Sequence, residues 1–103
     1  MACFVYILGS RSGSVCRTYV GWTNDLERRL ARHNNGTGAR STRGRVWVLL
    51  YAERYPTRGP AMSREWHLKR DRRFRQSLAQ GLDPLLAGEP GNVPEQFSIN
   101  RSR

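Results

Sequence analysis

Two tyrosines, an arginine and a histidine one helical turn apart, and one glutamate set among cations are the residues of this 103-residue chain best suited to chemistry. Tyr6 and Tyr19 lie in two β-branched and aromatic runs on either side of Gly9-Ser10-Arg11-Ser12-Gly13-Ser14, a pattern that predicts a β-hairpin with a flexible loop. If the loop is centred between Ser12 and Gly13, Tyr6 falls opposite Tyr19 and the two phenols share one sheet face. Arg29 and His33 stand i, i+4, so they project from neighbouring points of a helix and address the same object. Glu65 sits near Arg64, Lys69, Arg70, Arg72 and Arg73. A carboxylate is out of place on a face meant only for phosphate, and a bound divalent cation, which inverts the local sign, accounts for it better. Each residue also has a plainer reading. The tyrosines can be a cross-strand pair that stabilises the hairpin, Arg29 a solvated charge, His33 a helix C-terminal residue favoured by the dipole, and Glu65 an i, i+4 partner of Lys69.

The elements that must position these residues follow from pattern. The register that pairs Tyr6 with Tyr19 puts Cys3 across from Trp22 and Cys16 across from Gly9, about 20 Å apart at roughly 3.3 Å per residue, which excludes a disulfide between the two cysteines. A helix is expected from Asn24, a capping residue with Glu27 three positions on, to the stop Asn34-Asn35-Gly36, with Leu26, Leu30 and His33 on its inner stripe. The segment from Gly36 to Arg45 is rich in glycine and arginine and reads as a mobile basic loop. Val46 to Arg54 is the third strand, uncharged enough to be the central, doubly covered one. Pro60 to about Gln80 is one long helix with proline in its first turn and Met62 and Trp66 as an apolar i, i+4 pair. The order is β-β-α-β-α, an α+β fold with a small three-stranded antiparallel sheet flanked by helices. Residues 1–80 form the domain and residues 81–103 a Gly/Pro-rich C-terminal tail.

Charge narrows the function. Eighteen cations stand against eight anions, for a net +10, and only Lys69 among the cations is not an arginine. Residues 1–80 carry +11 and residues 81–103 carry −1. Arginine forks suit bidentate phosphate contacts, and a pI near 11.2 on one small domain is the footprint of a nucleic-acid binder. No uncharged run approaches the ~20 residues of a membrane helix. The N-terminus has no basic region followed by a small-residue cleavage site, so the expected location is cytoplasmic. There is no C-x-x-C pair for a zinc finger, no G-x-x-x-x-G-K-[ST] phosphate loop and no H-E-x-x-H.

Val5-Tyr6-Ile7, then Tyr19-Val20-Gly21, then Leu26-x-x-Arg29-x-x-x-His33, then Met62-Ser63-Arg64-Glu65-Trp66 together resemble the GIY-YIG nuclease domain, above all its short single-domain bacterial members, over roughly residues 3 to 78. The resemblance implies a phosphodiesterase that uses one divalent metal. Glu65 would hold Mg²⁺ or Mn²⁺, hard cations that favour carboxylate oxygen and keep several waters. Tyr6 would orient or deprotonate the attacking water, and with an ordinary tyrosine pKa near 10 it needs a cationic neighbourhood to act as a base. Tyr19 would hydrogen-bond within the same site. Arg29 would clamp the scissile phosphate with Arg28 beside it, and His33 would orient Tyr6 or relay its proton. The first motif lacks the name-giving glycine and the second has valine for isoleucine, both apolar strand exchanges. At the place of the family's later asparagine stand Lys69, Arg70, Arg73 and Gln76.

With no second domain to read sequence, the expected substrate is DNA recognised through backbone and shape, single-stranded or branched, and nothing in the sequence excludes RNA. Arg28, Arg40, Arg43, Arg45, Lys69, Arg70 and Arg73 are the expected DNA contacts, with Arg72 and Arg75 on the same helix. Trp22 or Trp66 is placed to stack a base or to fill the core. DNA repair, DNA uptake and mobile-element control are all open as pathways. A catalytically silent nucleic-acid binding module using the same basic face is the alternative, and a subunit docking an acidic protein is a third.

Overall fold

The computed structural model describes residues 2–81, and the 81–103 tail lies outside the described residues apart from Gly81. The elements run β1 (Cys3–Ser12), β2 (Val15–Thr23), α1 (Leu26–Asn34), a 3₁₀ turn (Arg40–Thr42), β3 (Val48–Tyr55), α2 (Arg58–Arg70) and α3 (Arg72–Gln80). The sheet is antiparallel with order β2-β1-β3, so the α+β class and the three-stranded sheet expected from sequence are found. The central strand is β1, not β3 as expected. The continuous apolar run of β3 is explained by a bulge rather than by a central position. Register shifts between Ile7 and Leu8, so Leu50 and its neighbour Tyr51 both serve the α2 face while Leu49 and Ala52 serve the other.

The hairpin is tighter than its glycine-serine content suggests. Pairing continues to Ser12↔Val15, leaving only Gly13 and Ser14 to turn the chain, with glycine supplying the positive φ (+62°) at the first central position. The register therefore moves by two: Tyr6 pairs with Gly21 and Tyr19 with Leu8. The tyrosines keep their shared face because a shift of two preserves it. Cys16 pairs with Arg11, eight residues along β1 from Cys3, and both thiols are free.

The sheet separates two apolar layers. Val5, Ile7, Val20, Val48 and Leu50 pack with Ala61 and Leu68 on one face. Tyr6, Leu8, Trp47 and Leu49 pack with Leu30 on the other. The cap of α1 is Asp25 rather than Asn24: its carboxylate accepts from the Arg28 N–H at 3.1 Å. The expected long helix is two, because Asp71 at ψ 73° ends α2 and caps α3 by accepting from the Phe74 N–H. The loop expected to be mobile is pinned at Thr42, which is fully buried while Arg40, Ser41 and Arg43 around it are exposed.

Candidate functional site

The site is built where β1 and β2 meet α1. Tyr6 is 1 % exposed, and its ring lies across Gly21: a Cβ there would stand 2.6 Å from the phenol oxygen. That close approach is of Tyr6 itself, so the glycine is accounted for inside the protein. Tyr19 sits diagonally from Tyr6 with ring centroids 6.3 Å apart, and the His33 ring lies tilted against Tyr19 with centroids 4.8 Å apart. Gly38 fits against His33 for the same steric reason, since a Cβ would stand 2.7 Å from Nδ1.

His33 is buried and bonded at both ring nitrogens. Its Nε2 lies 2.9 Å from the Tyr6 hydroxyl and its Nδ1 2.8 Å from the Thr42 hydroxyl. Thr42 donates its own proton to the Ala39 carbonyl, so Nδ1 carries the ring proton and Nε2 presents a lone pair to the Tyr6 O–H. Thr42 is held in turn, its carbonyl accepting from the Trp47 indole at 2.8 Å. Asn34 fixes the same corner: its amide donates to the Trp47 carbonyl and accepts from the Trp47 N–H. Neither Thr42 nor Asn34 stands out in sequence, the first lying in an arginine-rich loop and the second in a helix-stop motif. The signal is that each is a short polar side chain capable of completing backbone hydrogen bonds at a buried corner.

Electrostatics set the protons. Burial, aided by Tyr19 and Glu65, pushes the Tyr6 pKa well above its usual value, and Arg29 pulls the other way without prevailing. The cationic neighbour expected to make Tyr6 a phenolate is therefore present but outweighed. Burial likewise raises Tyr19 against the pull of Arg29. Burial and the charges of Arg29 and Arg32 lower His33 to about 4, so the imidazole is neutral at pH 7.

Glu65 enters from α2. Ala61 and Leu68 are the buried residues of that helix, and Glu65 shares their stripe at i+4 and i−3, which leaves its side chain only 20 % exposed. Met62 and Trp66, the apolar i, i+4 pair of the sequence, face outward, and Trp66, which could have stacked a base or filled the core, is 53 % exposed and outside the core. The inward stripe thus spends its middle position on a carboxylate whose charge is felt by both tyrosine hydroxyls. Its one ion pair is with Lys69 at 3.6 Å. Among the described residues no trio of His, Cys, Asp or Glu stands together. A single half-open carboxylate suits a hard cation that keeps its waters and takes substrate phosphate oxygens, which fits Mg²⁺ or Mn²⁺ and not an all-protein cage.

The expected DNA contacts fare differently. Arg28, Arg40, Arg43 and Arg73 are exposed. Arg45 is turned onto the hairpin, donating to the Ser10 hydroxyl and carbonyl. Arg70 lies 3.6 Å over the Trp66 ring. Arg75 is engaged within the fold, donating to the carbonyls of Leu68 and Lys69 and to the Thr18 hydroxyl. Trp22 is half-buried against the α2-face core.

The family model of the GIY-YIG catalytic domain matches residues 2–78. The chain belongs to the GIY-YIG family. The GIY-YIG domain is in general a nuclease domain, which implies a nucleic-acid substrate. This GIY-YIG chain is 38 % identical over 97 residues to a UPF0213 protein of Nitratidesulfovibrio vulgaris, covering 90 % of this chain and 86 % of that one. It is 47 % identical over 68 residues to the UPF0213 protein CPE1444 of Clostridium perfringens, covering 65 % and 70 %. The solution NMR structure of the UPF0213 protein BH0048 from Bacillus halodurans is 36 % identical, covers 85 % of this chain and 88 % of its own, and superposes with a TM-score of 0.44. No helix among the described residues of the GIY-YIG chain is long and apolar enough to cross a membrane.

Proposed function

We propose that the chain is a divalent-metal-dependent endonuclease that hydrolyses DNA phosphodiester bonds, acting on single-stranded or branched DNA without strong sequence readout. The observation that carries this reading is the hydrogen bond from Tyr6 to a neutral, lone-pair-bearing His33, together with a part-buried carboxylate at Glu65 whose charge bears on both tyrosine hydroxyls. Tyr6 keeps its proton at neutral pH, so it serves as a relay and not as a phenolate. Its oxygen accepts a proton from the attacking water as its own proton moves to His33 Nε2, the water oxygen bonds to phosphorus and the bond to the 3′ oxygen breaks. His33 is a weak base in the free protein because burial, and after it the charges of Arg29 and Arg32, oppose its protonation. A phosphate held by Arg29 neutralises part of that opposition and raises the basicity of His33 when substrate is bound. Tyr19, packed against His33, hydrogen-bonds the phosphate or the water on the same face. Glu65 would hold Mg²⁺ or Mn²⁺, which when bound would supply positive charge to stabilise the phosphate and the leaving oxygen.

The alternative, a binding module without turnover, is favoured by one contact, the Lys69–Glu65 ion pair, which gives Glu65 a surface role. End-labelled single-stranded, duplex and flapped DNA incubated with Mg²⁺, Mn²⁺ or EDTA separates the two. Cleavage that disappears with EDTA and with Glu65→Ala is the expected result, whereas salt-dependent binding by both proteins with no product would replace the nuclease by the binding module.

A further inference from the structure

An open groove of about 760 Å³ lies at the far end of the hairpin, lined by Arg11, Cys16 and Arg17 from the hairpin and by Arg72, Arg75 and Gln76 from α3. We propose that it is a second nucleic-acid site, which holds the phosphodiester backbone of the substrate strand after it leaves the reacting centre. The proposal rests on the nucleic-acid reading of the tyrosine site and adds to it a location and a direction for the bound strand.

Three observations support it. The first is charge: four arginines line the groove and no carboxylate does. The nearest acid in sequence, Asp71, is engaged in capping α3 through the Phe74 N–H. Among the described residues the ion pairs at hand involve Arg64 and Lys69, and none involves Arg11, Arg17 or Arg72. The second is preorganisation. Arg75 is fixed to strand and helix by three hydrogen bonds, and Arg11 is braced by donating through Nε to the Gly13 carbonyl at 3.1 Å. These braces give the groove a set shape before any ligand arrives, so less side-chain freedom is lost on binding.

The third observation is continuity with the tyrosine site. Arg17 lies two residues before Tyr19 on β2, about 7 Å along the strand, and alternation places both on the same sheet face. Arg17 also lines the groove, so it belongs to both surfaces, and β2 is an edge strand with nothing beyond it in the sheet. A strand leaving Tyr19 and Arg29 can therefore pass Arg17, round the β2 edge and reach Arg72 with a cation at each step.

Cys16 makes the location directly testable, because it is exposed in this groove while the only other thiol, Cys3, is buried. Full-length Glu65→Ala protein would be titrated with fluorescein-labelled oligonucleotides of ~6 to 20 nucleotides, reading anisotropy at several salt concentrations and, in parallel, the rate of Cys16 alkylation by N-ethylmaleimide. The expected result is that saturating oligonucleotide slows alkylation at least about fivefold and that high salt restores the free rate. Arg17→Gln/Arg72→Gln should weaken binding about tenfold, lower the salt slope by about 0.7 per arginine on single strands and abolish the protection. Thermal melting of the double variant checks that it is folded, and Arg11→Gln gives an independent test from the opposite wall. Binding that leaves Cys16 alkylated at its free rate would overturn the proposal, as would an unchanged affinity and salt slope in folded double variant and in Arg11→Gln. These readouts need no turnover, so a failure to cleave DNA would count against the nuclease reading and leave the groove to be judged separately.

Discussion

The protein holds two constellations of the same composition, two tyrosines, an arginine and a glutamate, with their tyrosine pairs on opposite faces of its sheet. In one, Tyr51, Tyr55 and Arg64 all donate to the Glu53 carboxylate. In the other, Tyr6, Tyr19 and Arg29 surround His33, and Glu65 has only Lys69 at 3.6 Å. Burial works against the charge on Glu53, yet the three donors outweigh it and hold its carboxyl below the usual range. That carboxylate is saturated, its donors join α2 to β3, and it has little capacity left for a ligand. Glu65 keeps most of its lone pairs. Identical residue types therefore serve packing where they satisfy one another and serve chemistry where they are left unsatisfied.

The sharpest way to break this comparison is to neutralise each carboxylate in turn. Glu65→Gln should reduce metal-dependent cleavage by about 10³-fold or more, the scale of losing a principal charge stabiliser, with a melting temperature close to the parent. Tyr6→Phe tests the relay and should cost about 10²-fold in kcat, near the lower end of what proton transfer contributes. It should also lower stability by about 1–2 kcal/mol, because Nε2 of buried His33 loses its partner. Single-turnover cleavage and thermal melts read both quantities. Tyr51→Phe, the matching change on the other face, should leave cleavage per folded molecule unaltered.

Glu53→Gln inverts the pattern. It removes the charge that three donors converge on, and because the Glu53 side chain is 17 % exposed the cost should be about 1–2 kcal/mol in urea unfolding, less than for a fully buried pair. Cleavage corrected for the folded fraction should not change. If instead Glu53→Gln abolished cleavage and Glu65→Gln only lowered stability, the assignment of the two constellations would have to be exchanged.

How far these differences are legible in sequence depends on what fixes them. The spacing of Tyr6, Tyr19, Arg29, His33 and Glu65 singles them out as candidates, and alternation puts both tyrosines on one face even with the register displaced by two. The position of Glu65 was legible as a carboxylate among cations, but its inward direction was not, because Met62 and Trp66 offer the stronger apolar spacing on α2. What orients that helix is Ala61 and Leu68, which are fully buried against the sheet. Tyr51-x-Glu53-x-Tyr55 alternates as a strand face should, yet its convergence with Arg64 depends on how α2 docks, which is a tertiary matter. The break at Asp71 was hidden by continuous helical composition and arises from one capping carboxylate.

Acid should separate the two constellations a last time, through stability. His33 is lowered to about 4 in the folded protein from an ordinary value near 6.5, so between those limits the unfolded chain binds more protons than the folded one. Stability is therefore full above pH 6.5 and falls as pH drops toward 4, by about 1 kcal/mol between pH 7 and 5.5. Glu53 is also depressed, but as a carboxylate its contribution is present above its ordinary range near 4.5 and is lost only below it. Urea unfolding against pH should then show two limbs. His33→Gln should flatten the limb between pH 6.5 and 4 and leave the lower one, while Glu53→Gln should do the reverse. A single limb that responds to both variants would mean that the two clusters titrate as one unit, and the separation by sheet face would lose its energetic meaning.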